Sequence, residues 1–95
     1  MVSTAPDHRN LETALGLSRA ALDRGADVYL YLIDDAVAAV EDPRLQTLAG
    51  RGLKLFVCAY GCQKRRQPLS DKATNCGLVV LTDLINGTDR FLALN

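Results

Sequence analysis

The chain has 95 residues, eleven basic and eleven acidic side chains, and a formal net charge of zero. That length suits one domain, residues 1–95, and not two. The charges are spread out apart from Lys64-Arg65-Arg66, so nothing resembles the basic face needed to bind a phosphate backbone, and no direct nucleic-acid binding is expected. No apolar stretch approaches a membrane span, so no membrane association is expected either.

The first ten residues carry no apolar signal core, and cytoplasmic localisation is the expectation. Three cysteines is an odd count that does not form a secreted disulfide framework. Free thiols are expected in a reducing compartment. With no Trp, two Phe and three Tyr, the core must be built from Leu, Val and Ala. Such a small domain buries a modest share of its surface, which favours help from a partner subunit.

Met1-Val2-Ser3-Thr4 offers only a stub of strand, so the first strand of the fold reads as truncated. Leu11, Ala14, Leu15, Ser18, Ala21 and Leu22 fall at helical spacing, with Glu12, Arg19 and Asp23 on the other face. The spacing predicts a helix over Leu11 to Arg24, with Asn10 as N-cap and Gly25 as stop. Gly16 inside it costs about 1 kcal/mol relative to Ala. Val28 to Ile33 is a continuous apolar run, the pattern of a strand buried on both faces of a parallel sheet. Asp34-Asp35 then reads as the cap of a short helix, Ala36 to Val40. Asp42-Pro43 is a cap followed by Pro at the first helical position, opening a helix that runs to Ala49.

Leu53 to Val57 reads as the next buried strand and delivers Cys58, with a short helix after it. Leu69 to Asn75 reads as irregular, with one turn at Ser70 to Ala73. Leu78-Val79-Val80 reads as a strand, Thr82 as the cap of a short helical segment ending at Asn86-Gly87, and Phe91 to Leu94 as a last strand. Strands alternating with helices imply an α/β fold around a parallel sheet with right-handed crossovers.

Cys58 is the candidate nucleophile. A thiol at the carboxyl end of a parallel strand lies at the edge where open α/β sheets bind ligands. A helix starting there favours thiolate over thiol, and Lys64-Arg65-Arg66 push the same way. Against this stands the reading of Cys58 as a small buried hydrophobe closing a strand. Cys62 is a secondary candidate, able to resolve a persulfide or disulfide on Cys58. On one regular helix, however, the two Cβ atoms would lie about 5–6 Å apart, where a disulfide needs about 3.5–4.5 Å. A bond would require the turn at Tyr60-Gly61 to bring Cys62 back.

Cys76, just before a predicted strand, reads as structural, although it could approach Cys58 because adjacent strands begin and end near one another. The cysteines and His8 fit no zinc spacing, since only Cys58/Cys62 supplies a pair, and neither a metal nor a cofactor is expected. Nor is this a thioredoxin motif, because three residues separate the cysteines instead of two. Lys64-Arg65-Arg66 reads most simply as a solvated helix end. Asp34-Asp35 reads as a cap, although strand-end carboxylates also reach the site edge. His8 reads as exposed.

Several stretches together resemble the DsrE/TusD/YchN-like sulfur-relay proteins over nearly the whole chain. They are Ala14 to Leu22 leading to Arg24-Gly25-Ala26-Asp27-Val28; Leu32 to Val37; Gly52 to Cys58; Gly77 to Leu84; and Thr88 to Leu92. The resemblance implies a small three-layer α/β fold with a mainly parallel sheet of four to five strands. It also implies homo-oligomers, trimers or hexamers, or assembly with paralogous subunits. Some members carry sulfur as a persulfide on the cysteine that matches Cys58, taken from a donor protein and passed to an acceptor. The expected role is therefore a sulfur carrier, sulfurtransferase-like if active at all. A non-catalytic oligomeric or regulatory module of the same fold is the alternative, and a Cys58/Cys62 dithiol redox sensor a third.

Overall fold

The computed structural model describes residues 1–95. Helix α1 spans Arg9–Asp23, strand β1 Tyr29–Leu32, helix α2 Pro43–Gly50, strand β2 Lys54–Cys58, helix α3 Ala59–Lys64, strand β3 Thr74–Cys76 and helix α4 Leu78–Gly87. A 3₁₀ helix, Asp34–Ala39, stands between β1 and α2.

The three strands lie in the order β1-β2-β3, all parallel. Two single bridges widen the sheet beyond β1: Val2 pairs with Leu32 on one side and Leu94 on the other, both parallel. Val2 N–H donates to the Tyr31 carbonyl and Ile33 N–H to the Val2 carbonyl, each at 3.0 Å. Ser3 N–H reaches the Leu94 carbonyl and Leu94 N–H the Met1 carbonyl. The expected stub at the N-terminus is therefore present. The expected four to five strands are corrected to three, because the first and last contribute one paired residue each.

Alternation along the strands divides the residues between two faces. Leu30, Leu32, Leu55 and Val57 share one face and are all buried. Tyr29, Tyr31, Phe56, Cys58 and Cys76 share the other, with Tyr29 and Phe56 rings stacked at 6.4 Å. Right-handed crossovers that advance in one direction put α1, α2 and α3 over one face, and the return to Leu94 carries α4 across the other. One cluster of 18 buried residues joins Val2, Leu11 and Leu15 to the strands, to Val37 and Val40, to Leu45 and Leu48, and to Cys58 and Cys62.

Most helix limits follow the capping chemistry. Asp42 accepts from Arg44 N–H at 2.9 Å and Pro43 opens α2, as expected. Two caps differ. His8, not Asn10, caps α1, its Nδ1 accepting from Asn10 N–H at 3.1 Å. No side chain caps the 3₁₀ helix, in which Asp34 and Asp35 form the first turn. A Cβ at Gly16 would meet nothing within 4 Å, so that glycine is tolerated and not required by packing.

The largest correction concerns Thr74 to Leu84. The strand is Thr74–Cys76, within the stretch read as irregular, while Leu78-Val79-Val80, read as a strand, opens α4. The ladder decides. Thr74, Asn75 and Cys76 pair with Phe56, Val57 and Cys58, and Gly77 ends the strand. β-Branched residues then continue as helix because pairing partners outweigh intrinsic preference. The expected turn before the strand is present, with Ser70 Oγ accepting from Lys72 N–H.

Candidate functional site

The last residue of β2 is also the N-cap of α3. Cys58 ends a strand whose inner residues are buried, and its extended backbone (φ −70°, ψ 111°) turns the chain into the helix. Its Sγ accepts the Gly61 N–H at 3.3 Å.

Gly61 makes this helix placement possible. A Cβ there would lie 3.2 Å from Val37 Cγ1, 3.6 Å from the Asp34 backbone nitrogen and 3.6 Å from Cys58 Cβ. Only a glycine lets α3 lie this close to the 3₁₀ helix without displacing Val37, which is itself buried. Asp34 adopts a positive φ of 53° at the facing strand end, a conformation Asp tolerates better than most residues.

Tyr60 and Gly61 are helical, so the turn that would bring Cys62 back to Cys58 does not form. All three cysteines are free. Cys62 is 1% exposed and points into the core cluster. Burial, and then the nearby Cys58, push its thiol up from the ordinary value, leaving it neutral at pH 7.

Cys76 is the residue that sequence reasoning placed wrongly. It lies in β3 as the register partner of Cys58, on the same sheet face. It is partly exposed, whereas Cys58 is 3% exposed. Its Sγ lies 3.8 Å from the Val57 carbonyl oxygen. The Tyr31 hydroxyl donates to the Gly77 carbonyl at 3.1 Å, and Tyr31 shares its sheet face with Cys58 and Cys76. Burial pushes Tyr31 well above its usual range, and the two sulfurs add to this. Burial likewise raises Cys76, the Tyr31 hydroxyl opposes that rise, and Cys58 adds to it. No pattern of spacing links Tyr31, Cys58 and Cys76. Only the register of three parallel strands brings them together.

The cationic run does not support Cys58. Lys64 is the last residue of α3 and Arg65 its C-cap, at the opposite end from the thiol. Arg65 pairs with Asp35 at 3.0 Å, and Arg66 takes a positive φ of 53° as the chain leaves the helix. Cations at a helix C-terminus match the dipole, the simplest of the readings available from sequence. Asp35 serves that ion pair. His8 stands at the start of α1 with its ring committed to the cap.

A groove of about 800 Å³ runs between α1, β1, α4 and the C-terminal tail, and no cysteine lines it. Tyr31 contributes to its wall. No helix is long and apolar enough to cross a membrane.

No known family profile matches the chain, and no curated protein matches it. Among solved structures, the YchN protein of E. coli superposes with a TM-score of 0.82 at 23% sequence identity, covering 98% of this chain and 95% of that one. The chain therefore has the fold of E. coli YchN, and the resemblance to the DsrE/TusD/YchN-like proteins holds at the level of that fold.

Proposed function

We propose that the protein is a small sulfur carrier that holds sulfur as a persulfide on Cys58 and works within an oligomer. The observation that carries this reading is the placement of Cys58. It is at once the carboxyl end of a central parallel strand, the N-cap of α3 and the acceptor of the Gly61 N–H. Its thiolate attacks the outer sulfur of a donor persulfide, forming Cys58-S-SH with the hydrogen that sulfur already carries and releasing the donor thiolate. An acceptor thiolate then takes the outer sulfur and returns Cys58 to the thiolate. Bond count and charge balance in both steps, and the protein ends as it began. Donor and acceptor are other proteins, and Cys62, neutral and buried, takes no part.

Assembly rests on α4. Leu78, Val79, Val80, Leu81, Leu84 and Ile85 make it apolar nearly all round, yet it has no buried residue. A helix of that kind belongs in an interior. The occupant is another copy of the chain, or a paralogous subunit with a matching face.

The burial of Cys58 favours a second reading, a non-catalytic oligomeric module in which the thiol only fills space. Loading decides between them. Incubation with a low-molecular-weight persulfide donor, followed by peptide mapping, is expected to place one added sulfur, reversible by reductant, on Cys58 in wild type and in Cys62→Ala. No adduct on wild type would favour the module.

A further inference from the structure

Cys58 is nearly inaccessible, while its cross-strand partner Cys76 is partly open to solvent. Adjacent strands run about 4.7–4.9 Å apart, inside the range of about 4.4–6.8 Å that disulfide-bonded Cα atoms span. Register partners also point to the same face. Both residues are the last of their strands, and Gly77 follows Cys76, so the closing movement falls where the ladder ends. Cys76 Sγ already lies beside the carbonyl of Val57, the residue before Cys58.

We propose that Cys76 is the entry thiol of this site: it reacts first with a low-molecular-weight disulfide and passes the exchange to Cys58, giving a Cys58–Cys76 disulfide. The Cys76 thiolate, its proton lost to solvent, attacks one sulfur of the small disulfide. A mixed disulfide forms on Cys76 and one small thiolate leaves. The Cys58 thiolate, its proton also lost to solvent, then attacks Cys76 Sγ, the protein disulfide forms and the second small thiolate leaves. Two protein thiols are oxidised and one small disulfide is reduced to two thiols. The pair uses neither Cys62 nor a persulfide, so it stands or falls separately from sulfur carriage.

The test uses oxidised glutathione on the full chain at mildly alkaline pH, with acid quenching, alkylation of the remaining thiols and peptide mapping. Wild type and Cys62→Ser are expected to give the 58–76 linkage. Cys58→Ala, preferred to Cys58→Ser because the site is buried, is expected to keep glutathione on Cys76. In Cys76→Ser, modification of Cys58 is expected to slow by more than an order of magnitude, with circular dichroism confirming the fold. Cys76→Ala serves if the serine variant fails to fold. A 58–62 linkage overturns the proposal. So does Cys58 modification in Cys76→Ser at the wild-type rate, or a wild-type protein that forms no linkage.

Discussion

Two side chains and one glycine set the chemistry of the strand ends. The Tyr31 hydroxyl is buried with the sulfurs and donates to Gly77. Tyr31→Phe is expected to cost about 1 kcal/mol, the worth of one intramolecular hydrogen bond, read by denaturant unfolding. It also removes a donor that stabilises the Cys76 thiolate, so alkylation of Cys76 is expected to move to higher pH. An unchanged Cys76 profile would show that the hydroxyl does not reach that sulfur. Gly61 is a packing position. Ala is the better helix former, but its methyl would meet buried Val37 at 3.2 Å. Gly61→Ala is expected to lower stability, since overpacking costs typically about 1–3 kcal/mol. Combining it with Val37→Ala should give a favourable coupling in a double-mutant cycle.

At the scale of elements, capping and burial pattern were legible in the sequence where local chemistry decides. Asp42-Pro43 opens α2 as read, the apolar run at Val28 to Ile33 encloses β1, and the run at Leu53 to Val57 covers β2 up to its last residue, Cys58. Asp42→Ala is expected to cost about 1 kcal/mol, as losses of N-cap residues do. Hydrogen bonds from Arg44 hold the Asp42 carboxyl below its usual value against a smaller opposing effect of burial. Its contribution is therefore complete above the ordinary carboxylate range and lost as pH falls through the lowered folded value. Urea midpoints of wild type and variant should converge there, and a gap that persists in acid would contradict the assignment. The reading failed at Thr74 to Leu84, where composition and pairing disagree. Thr74-Asn75-Cys76 has no apolar alternation to announce a strand, and Leu78-Val79-Val80 has the composition of one. The identity of β3 depends on which residues meet Phe56 to Cys58, which is a fact about the ladder and not about the segment. Cys58 was legible because strand end and helix start adjoin in sequence. That Cys76 could approach it was legible as well, but their register pairing was not, because it crosses strands.

The whole molecule closes its sheet with its two ends. Met1 to Ser3 and Leu92 to Asn95 are tied by backbone bonds and by Ser3 Oγ donating to Asn95 Oδ1 at 2.8 Å. This leaves α4 across a sheet face that it covers thinly, with Val79 75% exposed. A second subunit would remove that surface from water, at roughly 25 cal/mol per Å² of apolar area. Val79→Asp is expected to shift the protein toward monomer in analytical ultracentrifugation while leaving its circular dichroism unchanged, because no contact within the chain buries that side chain. A wild-type protein that sediments as monomer across the concentration range would contradict assembly through α4.

The central claim concerns sulfur on Cys58, and discharge tests it most directly. Wild-type protein loaded from a persulfide donor, freed of that donor and then given one equivalent of a small acceptor thiol should lose its added sulfur mass. Peptide mapping before discharge should place that sulfur on Cys58. Sulfur that maps to another residue of the wild-type protein, or that the acceptor thiol does not remove, would contradict the account.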